Sequence, residues 1–201
     1  MAVNKSYIIT IVGAESSGKT TLGKDLAQKL DGIFVPEYAR EYLKNLNRPY
    51  TAEDLLTIAR VQWERIKNIV ADTGSFRNPK AVSTNELMLR LKGLLPVKFQ
   101  EADSFKLADD YKNQNFSDLI ILDGGMLNLL MWARIRYRIA IPIITEALAE
   151  DMTDLYILCR PLPSWENDPL REAPLLLDRV WIYNQYLHEL TKSKLPFIIW
   201  A

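Results

Sequence analysis

One stretch near the start of the chain constrains the fold more than any other, because glycines bound a loop between an apolar run and a helical pattern. The pattern is G-x-x-x-x-G-K-[ST], and it is met by Gly13-Ala14-Glu15-Ser16-Ser17-Gly18-Lys19-Thr20. The apolar, β-branched run 7–12 before the loop predicts a buried strand. Leu22, Leu26 and Leu30 after the loop share one face of a helix. A strand, a loop and a helix in this order surround phosphate oxygens with backbone N–H groups, which predicts a nucleotide-phosphate site.

The fixed positions of this pattern have separate chemical tasks. Gly13 and Gly18 let the backbone curl where a Cβ atom would hinder it. Lys19 would reach the β- and γ-phosphates, and the Thr20 hydroxyl would bind Mg²⁺. The residues predicted to bind the nucleotide are Gly13, Ala14, Glu15, Ser16, Ser17, Gly18, Lys19, Thr20 and Thr21.

The length, the net charge and the distribution of apolar residues argue against several other classes of protein. The 201 residues suffice for one α/β domain with a sizeable core. Lys and Arg together number 25, as do Asp and Glu, so the net charge of zero gives no electrostatic argument for a nucleic acid or an anionic membrane as partner. No apolar run approaches the ~20 residues of a membrane span. The first residues lack the apolar core of a signal peptide, so we expect a cytoplasmic protein.

Four further apolar runs predict strands, at 33–35, 119–122, 155–159 and 197–200. The five strands alternate with helical patterns, which indicates an α/β fold with three layers, a parallel sheet between helices on both faces. Cys159, the single cysteine, falls on one of these strands and is predicted to be a small buried residue.

The helical patterns lie between the strands. Thr51 is predicted to cap a helix that ends near residue 71, and further helices are predicted over 126–138, from Pro142 and over 175–192. The residues of the last helix predicted to face inward are Val180, Tyr183, Leu187 and Leu190. His188 on the same helix is predicted to face solvent.

The segment 72–117 is too long for a plain connection. Turn signals open it, and helices are predicted over 85–95 and 103–112. It is either a lid, a partner surface or a helical hairpin packed against the domain, and the sequence does not choose among these.

Polar residues follow the predicted strands at the edge where ligands of open α/β sheets bind. Glu37 and Arg40 lie one helical turn apart after the second strand. Glu37 could take a proton from a substrate hydroxyl, and Arg40 could hold an anion or position Glu37; the alternative is an ordinary surface ion pair. Gln62 falls on the apolar stripe of its helix, where it either reaches a ligand or sits at the helix margin.

Two later segments end at the same edge. Asp123 follows a buried strand, where an acid holds Mg²⁺ directly or through water; the alternative is an Asp in a turn. The proline-rich loop that begins at Pro161 follows the next strand. An arginine brought over the γ-phosphate neutralises developing charge, and Arg171 and Arg179 are the candidates.

Taken together, these segments resemble a known family. The phosphate loop, the segment Glu37-Tyr38-Ala39-Arg40-Glu41, Gln62 and the segment Trp165-Glu166-Asn167-Asp168-Pro169-Leu170-Arg171 are similar to the ribosylnicotinamide kinase domain of the NadR type. The resemblance covers nearly the whole chain apart from 72–117. It implies a single P-loop kinase-like domain over 1–201, with a probable helical insertion at 72–117 and a lid at 161–174.

The resemblance also implies the activity and its cofactors. Members transfer phosphate from ATP, with Mg²⁺, to the 5′-hydroxyl group of nicotinamide riboside, which gives nicotinamide mononucleotide in NAD salvage. The implied catalytic residues are Lys19, Glu37, Asp123 and Arg171, and the implied metal ligands are Thr20 and Asp123. The implied substrate residues are Glu37, Tyr38, Arg40, Gln62, Trp165 and Asp168. Either Glu37 or Asp123 is the general base, and we prefer Glu37 because Asp123 is better used on the metal.

The chain departs from the family at Gly124, where the family usually has threonine, so a hydroxyl near the metal is missing. Two alternative functions stay open. One is a kinase for another nucleoside. The other is an ATP-binding regulatory module with weak ATPase activity, in which ATP orders the segment 72–117 for a protein partner.

Overall fold

A parallel sheet with the first strand at its centre organises the structure, a computed structural model that describes residues 5–73, 82–83, 87, 91 and 115–200. The strands are β1 (Lys5–Gly13), β2 (Ile33–Val35), β3 (Val82–Ser83), β4 (Asn115–Asp123), β5 (Leu155–Cys159) and β6 (Phe197–Trp200). Five of them are parallel in the order β2-β4-β1-β5-β6, and the short β3 pairs antiparallel with β4. The predicted five-stranded parallel sheet is confirmed. The strand β3 was not predicted, because its two residues are too few to form a recognisable strand pattern.

The central strand is buried on both faces. Ile8 and Val12 belong to the core on one side of the sheet, while Ile9 and Ile11 belong to the core on the other. A strand covered on both faces has no polar side to alternate with, which explains the unbroken apolar run in the sequence.

Helices cover both faces, as predicted. They are α1 (Lys19–Leu30), α2 (Tyr38–Lys44), α3 (Ala52–Thr73), α4 (Met126–Trp132), α5 (Pro142–Ala149) and α6 (Leu176–Lys192). One core cluster contains the buried leucines of α1, and the other contains buried residues of α3, α4, α5 and α6. Leu87 and Leu91 are helical and buried on the α1 side, in agreement with a helix in that region.

Three helix ends show how local sequence sets the boundaries. Thr51 caps α3, since its hydroxyl accepts a hydrogen bond from the Asp54 N–H at 3.4 Å while the Asp54 carboxylate accepts one from the Thr51 N–H at 2.7 Å. Pro142 occupies the first turn of α5 as predicted. The predicted helix over 126–138 is less regular than expected, because α4 ends at Trp132 and a π-helical turn, Ala133–Tyr137, continues it.

The inward face of α6 differs from the prediction by about one residue. Its buried residues are Arg179, Ile182, Tyr186 and Leu190. Val180 is 38% exposed, so its predicted burial was wrong, while Tyr183 and Leu187 pack at the margin of the core. The error has a physical origin: a buried arginine is rare, and a pattern search that counts apolar residues passes over Arg179.

The predictions for 72–117 lie mostly outside the described residues. The helix predicted over 103–112 falls entirely there, and so does the greater part of the one over 85–95. None of the helices described is both long and apolar enough to cross a membrane.

Candidate active site

The ends of four parallel strands and the segments that follow them surround one cavity of about 700 Å³. Among the residues predicted for the site, those lining it are Gly13, Glu15, Ser16, Ser17, Gly18, Lys19, Thr20, Thr21, Glu37, Arg40, Asp123, Trp165, Asp168 and Arg171. Ala14, Tyr38 and Gln62 are not on its wall. Parallel strands bring their carboxyl ends to one edge of the sheet, so residues from 13 to 172 meet at one place.

The phosphate loop is held tightly between β1 and α1. Gly13 has φ +143° and Gly18 has φ +78°, and a Cβ atom on Gly13 would lie 2.7 Å from the Cys159 carbonyl oxygen. The carbonyl oxygen of Ala14 accepts hydrogen bonds from the Ser17 hydroxyl at 2.8 Å and from Lys19 Nζ at 2.6 Å. Ala14 therefore takes part through its backbone, and Lys19 lies over the loop that it is predicted to serve.

Thr20 and Asp123 form the pair predicted to hold the metal. Thr20 Oγ1 donates to Asp123 Oδ2 at 2.6 Å, and Asp123 is buried. One carboxylate and one hydroxyl are hard oxygen donors, and they are too few for an ion held by protein alone. Mg²⁺ is usually bound by one or two carboxylates together with substrate phosphates and waters, so these residues fit Mg²⁺ in the company of a nucleotide.

Glu37 is the N-cap residue of α2 and lines the same cavity as the metal pair. It is half-buried, and Asn128 Nδ2 donates to its Oε1 at 3.3 Å. Burial, followed by the neighbouring charge of Asp123, raises the pKa of Glu37 above its usual range, while Lys19 and Asn128 act in the opposite direction. A raised pKa suits a group that accepts a proton near neutral pH.

Contacts with α3 hold the start of α2 in place. Gln62 is buried, and its Oε1 accepts a hydrogen bond from the Tyr38 N–H at 2.8 Å. The Arg65 guanidinium lies 4.3 Å from the centre of the Tyr38 ring. Tyr38 and Gln62 therefore join α2 to α3 instead of lining the cavity. Tyr38 is the residue directly after Glu37, so this contact holds the backbone next to Glu37.

The segment 161–174, the predicted lid, has no regular helix or strand and contacts the phosphate loop directly. Arg171 donates to the Ser16 hydroxyl at 2.8 Å and to the Glu166 carbonyl oxygen at 2.7 Å. Arg40 donates to the Asp168 carboxylate at 2.6 Å, which ties the segment to α2.

A second tie runs from the loop to the far end of the lid. The Glu15 carboxylate accepts hydrogen bonds from the backbone N–H groups of Glu172 and Ala173, each at 2.9 Å to Oε2. Burial raises the pKa of Glu15, although these two N–H groups oppose the effect. The C-terminal part of the lid, residues 171–173, is therefore held against the phosphate loop.

Arg179, the second arginine suggested for the γ-phosphate, lies elsewhere. It is 1% exposed, and Nη1 donates to the carbonyl oxygens of Leu162 at 2.8 Å and Ser164 at 3.0 Å. Nη2 reaches the Pro163 carbonyl oxygen at 3.5 Å. Arg179 therefore fixes the first part of the lid and does not line the cavity, which leaves Arg171 as the arginine beside the phosphate loop.

The sequence did not reveal the apolar end of the cavity. Its wall there consists of Leu43, Tyr50, Leu55, Ile58, Leu129 and Trp132. Five of them lie on α2, α3 and α4, where their spacing is that of ordinary core residues, and Tyr50 lies on a connecting segment. Asn128 was missed for the same reason, since it stands within an otherwise apolar helix.

A parallel sheet with a phosphate loop after its central strand places the chain among the P-loop nucleotide-binding proteins, with a kinase-like fold. The chain belongs to the family whose model is described as AAA domain, which matches residues 8–201. No curated protein matches the sequence.

Solved structures support the fold. A structure of NadR protein in complex with NR is similar to 96% of this chain, with a TM-score of 0.60 and 18% identity. A structure of NadR protein with NAD and AMP-PNP has a TM-score of 0.56 and 17% identity over 96% of this chain. The chain spans less than half of these NadR chains, 45% and 43%. A thymidylate kinase from Ehrlichia chaffeensis has a TM-score of 0.56 and 13% identity, with 97% of this chain and 86% of that one covered. The predicted resemblance to NadR-type domains is confirmed for the fold.

Proposed function

We propose that the protein is an ATP- and Mg²⁺-dependent kinase that phosphorylates the 5′-hydroxyl group of nicotinamide riboside. The observation that carries this proposal is the shape of the cavity. One continuous space joins the phosphate loop, the Glu37 carboxylate and a wall that contains Tyr50 and Trp132. A nucleoside needs this arrangement, because its ring requires flat apolar contacts and its hydroxyl group must meet both a base and a phosphate. The NadR structure named above was obtained with NR, which supports this choice of nucleoside.

The proposed chemistry is an in-line transfer. The bond between the γ-phosphorus and the bridging oxygen of ATP breaks, the substrate oxygen bonds to that phosphorus, and the hydroxyl proton passes to Glu37. Lys19 and the loop N–H groups hold the phosphates, while Arg171 neutralises charge on the transferred group. Thr20 and Asp123 would hold Mg²⁺, which would offset negative charge on the ATP phosphates. The products would be ADP and nicotinamide mononucleotide, within NAD salvage in the cytoplasm.

The test is release of ADP from ATP and Mg²⁺, with and without nicotinamide riboside, beside a panel of ordinary nucleosides. Stimulation by nicotinamide riboside supports the proposal. Stimulation by a different nucleoside would keep the mechanism and replace the substrate. If the protein binds ATP and no nucleoside stimulates it, the kinase proposal is wrong and an ATP-binding regulatory module becomes the better explanation.

Two variants test the assigned residues. Lys19→Ala should abolish turnover, whereas Lys29→Ala, on the same helix with an exposed ion pair to Asp25, should keep it.

Glu37→Gln should lower kcat by about 10²- to 10⁴-fold with little change in the KM for ATP, because it removes the base and keeps the shape. Glu41→Gln, which affects an exposed carboxylate on the same helix, is its control. Equal losses in kcat and in ATP affinity for Glu37→Gln would indicate a binding role instead.

A further inference from the structure

A chain of two hydrogen bonds leads from α6 to the proposed base. Tyr186 Oη donates to Asn128 Oδ1 at 2.9 Å, and Asn128 Nδ2 donates to Glu37 Oε1 at 3.3 Å. Tyr186 is 1% exposed and Asn128 is 2% exposed, although the Asn128 side chain reaches the cavity wall. Glu37 is the N-cap residue of α2, while Asn128 and Tyr186 lie on α4 and α6, so the contact does not follow from local structure.

We propose that Asn128, oriented by Tyr186, is a positioning residue that holds the Glu37 carboxylate for proton transfer. This inference rests on the proposed function and deepens it. An asparagine amide has one accepting end and one donating end. Because Tyr186 occupies the accepting end, the donating end must face Glu37. One carboxylate oxygen is then fixed by Asn128, and Oε2 is left to accept the proton of the substrate hydroxyl.

The charges around Glu37 explain why a neutral donor is suitable there. Lys19 from α1 and Arg40 from α2 are the cations acting on Glu37, and Asp123 from β4 is the neighbouring anion. Lys19 and Arg40 also bind the phosphate loop and the lid, respectively. An amide orients the carboxylate without adding a third cation, which would weaken Glu37 as a base.

Gly124 provides the space for this contact. It has φ +88°, and a Cβ atom there would lie 2.7 Å from Asn128 Nδ2 and 3.2 Å from Glu37 Oε1. The first distance is shorter than any ordinary contact, so a side chain at this position would separate the amide from the carboxylate. The chain therefore has glycine where the Asn128–Glu37 contact requires it.

A purely structural role for Asn128 makes a different prediction from a positioning role. If Asn128 only satisfies the buried Tyr186 hydroxyl, its loss should lower stability and leave the kinetics of the folded fraction unchanged. If it positions Glu37, its loss should lower kcat and should do so only while Glu37 is a carboxylate. A double-mutant cycle separates these outcomes.

The experiment measures kcat and both KM values for wild type, Asn128→Ala, Glu37→Gln and the double variant, each verified as folded by thermal unfolding. We expect Asn128→Ala to lower kcat by about 10- to 100-fold with little change in KM, since a small misplacement of a reacting group has an effect of this size. In the Glu37→Gln background the same change should have almost no further effect. Fully additive losses, or an unchanged kcat in Asn128→Ala, would overturn the inference.

A second variant covers the case in which Asn128→Ala does not fold. Tyr186→Phe removes one hydroxyl group and keeps the packing, so it should lower kcat several-fold because the Asn128 amide is no longer held. Tyr183→Phe is the matched control, as it lies one turn earlier at the margin of the core, and it should behave as wild type. Equal kcat values for Tyr186→Phe and wild type would contradict the inference.

The failure of the inference differs from the failure of the proposed function. A wild-type kcat in Glu37→Gln would show that the base is assigned wrongly. A large loss in Glu37→Gln beside none in Asn128→Ala would reject the positioning role alone. If the wild-type protein phosphorylates no nucleoside, the proposed function is wrong and this inference falls with it.

Discussion

At the scale of single residues, the distance between two side chains depends on what the backbone nearby permits. The resemblance treated Gly124 as the loss of a hydroxyl group from the metal site. In the structure, the same position has a left-handed backbone and lies against Asn128 and Glu37. The glycine therefore has a consequence of its own, which concerns the proposed base, Glu37, and not only the proposed metal site.

This consequence gives a prediction for Gly124→Thr, which introduces the residue expected at this position in NadR-type kinase domains. The variant should lower kcat by about 10-fold or more, because its Cβ atom would displace Asn128 from Glu37. Gly125→Ala is the control, since Gly125 also has a positive φ of +110° but its Cβ atom would meet only Thr10 Cγ2, at 3.2 Å. Steady-state kinetics decides the matter. A higher kcat in Gly124→Thr would mean that a hydroxyl at the metal matters more than the Asn128 contact.

The sequence predicted residues that lie close to a recognisable pattern. Lys19 and Thr20 were predicted by the phosphate-loop spacing, and Glu37 and Asp123 by their places after strands. Asn128 could not be predicted, because its contact with Glu37 joins positions 91 residues apart on different elements. The sequence places Gln62 on the apolar stripe of its helix, and the structure shows that its amide binds the backbone of α2.

At the scale of elements, the lid depends on a helix that lies outside the cavity. Arg179 projects from the first turn of α6 and binds three successive carbonyl oxygens of the lid. A buried cation with partners of this kind holds an irregular segment in one shape, since the carbonyl groups cannot all find other donors without moving. The apolar pattern of the sequence gives a wrong inward face for α6 at this same residue.

Loss of Arg179 should therefore loosen the lid. In Arg179→Met, proteolytic cleavage within 161–174 should become at least about tenfold faster, because one hydrogen bond to a charged group contributes about 1.5–3 kcal/mol. Limited proteolysis followed by mass spectrometry measures this directly. Arg134→Met is the control, because the ion-pair partner of Arg134 is Glu189 on α6 and not a residue of the lid. Identical cleavage rates in Arg179→Met and wild type would show that the lid holds its shape without Arg179.

At the scale of the whole molecule, a bound nucleotide should stabilise the fold. The proposed site joins β1, α1, β4 and the lid, so a ligand there favours the folded chain over the unfolded one. At about 100 times its Kd, such a ligand adds about 2.7 kcal/mol to the free energy of unfolding. For a protein of this size, this corresponds to a rise in Tm of roughly 5–10 °C.

The measurement is thermal unfolding with and without ATP and Mg²⁺. Lys19→Ala should lose most of the rise, and Lys29→Ala should keep it. An equal rise in all three proteins would place the nucleotide somewhere other than the phosphate loop.

The architecture behind this prediction was accessible from the sequence, because five apolar runs alternate with helical patterns. The cavity volume and its apolar wall were not, because they depend on how four elements pack.

The burial of Cys159 has a practical consequence. Cys159 is fully buried beside Gly13, and burial raises the pKa of its thiol to about 12. The only native thiol of the chain therefore stays protonated and out of reach of alkylating reagents at neutral pH. A cysteine introduced at exposed Glu166 in the lid can carry a fluorophore or a spin label alone, and its signal reports the lid without removal of Cys159.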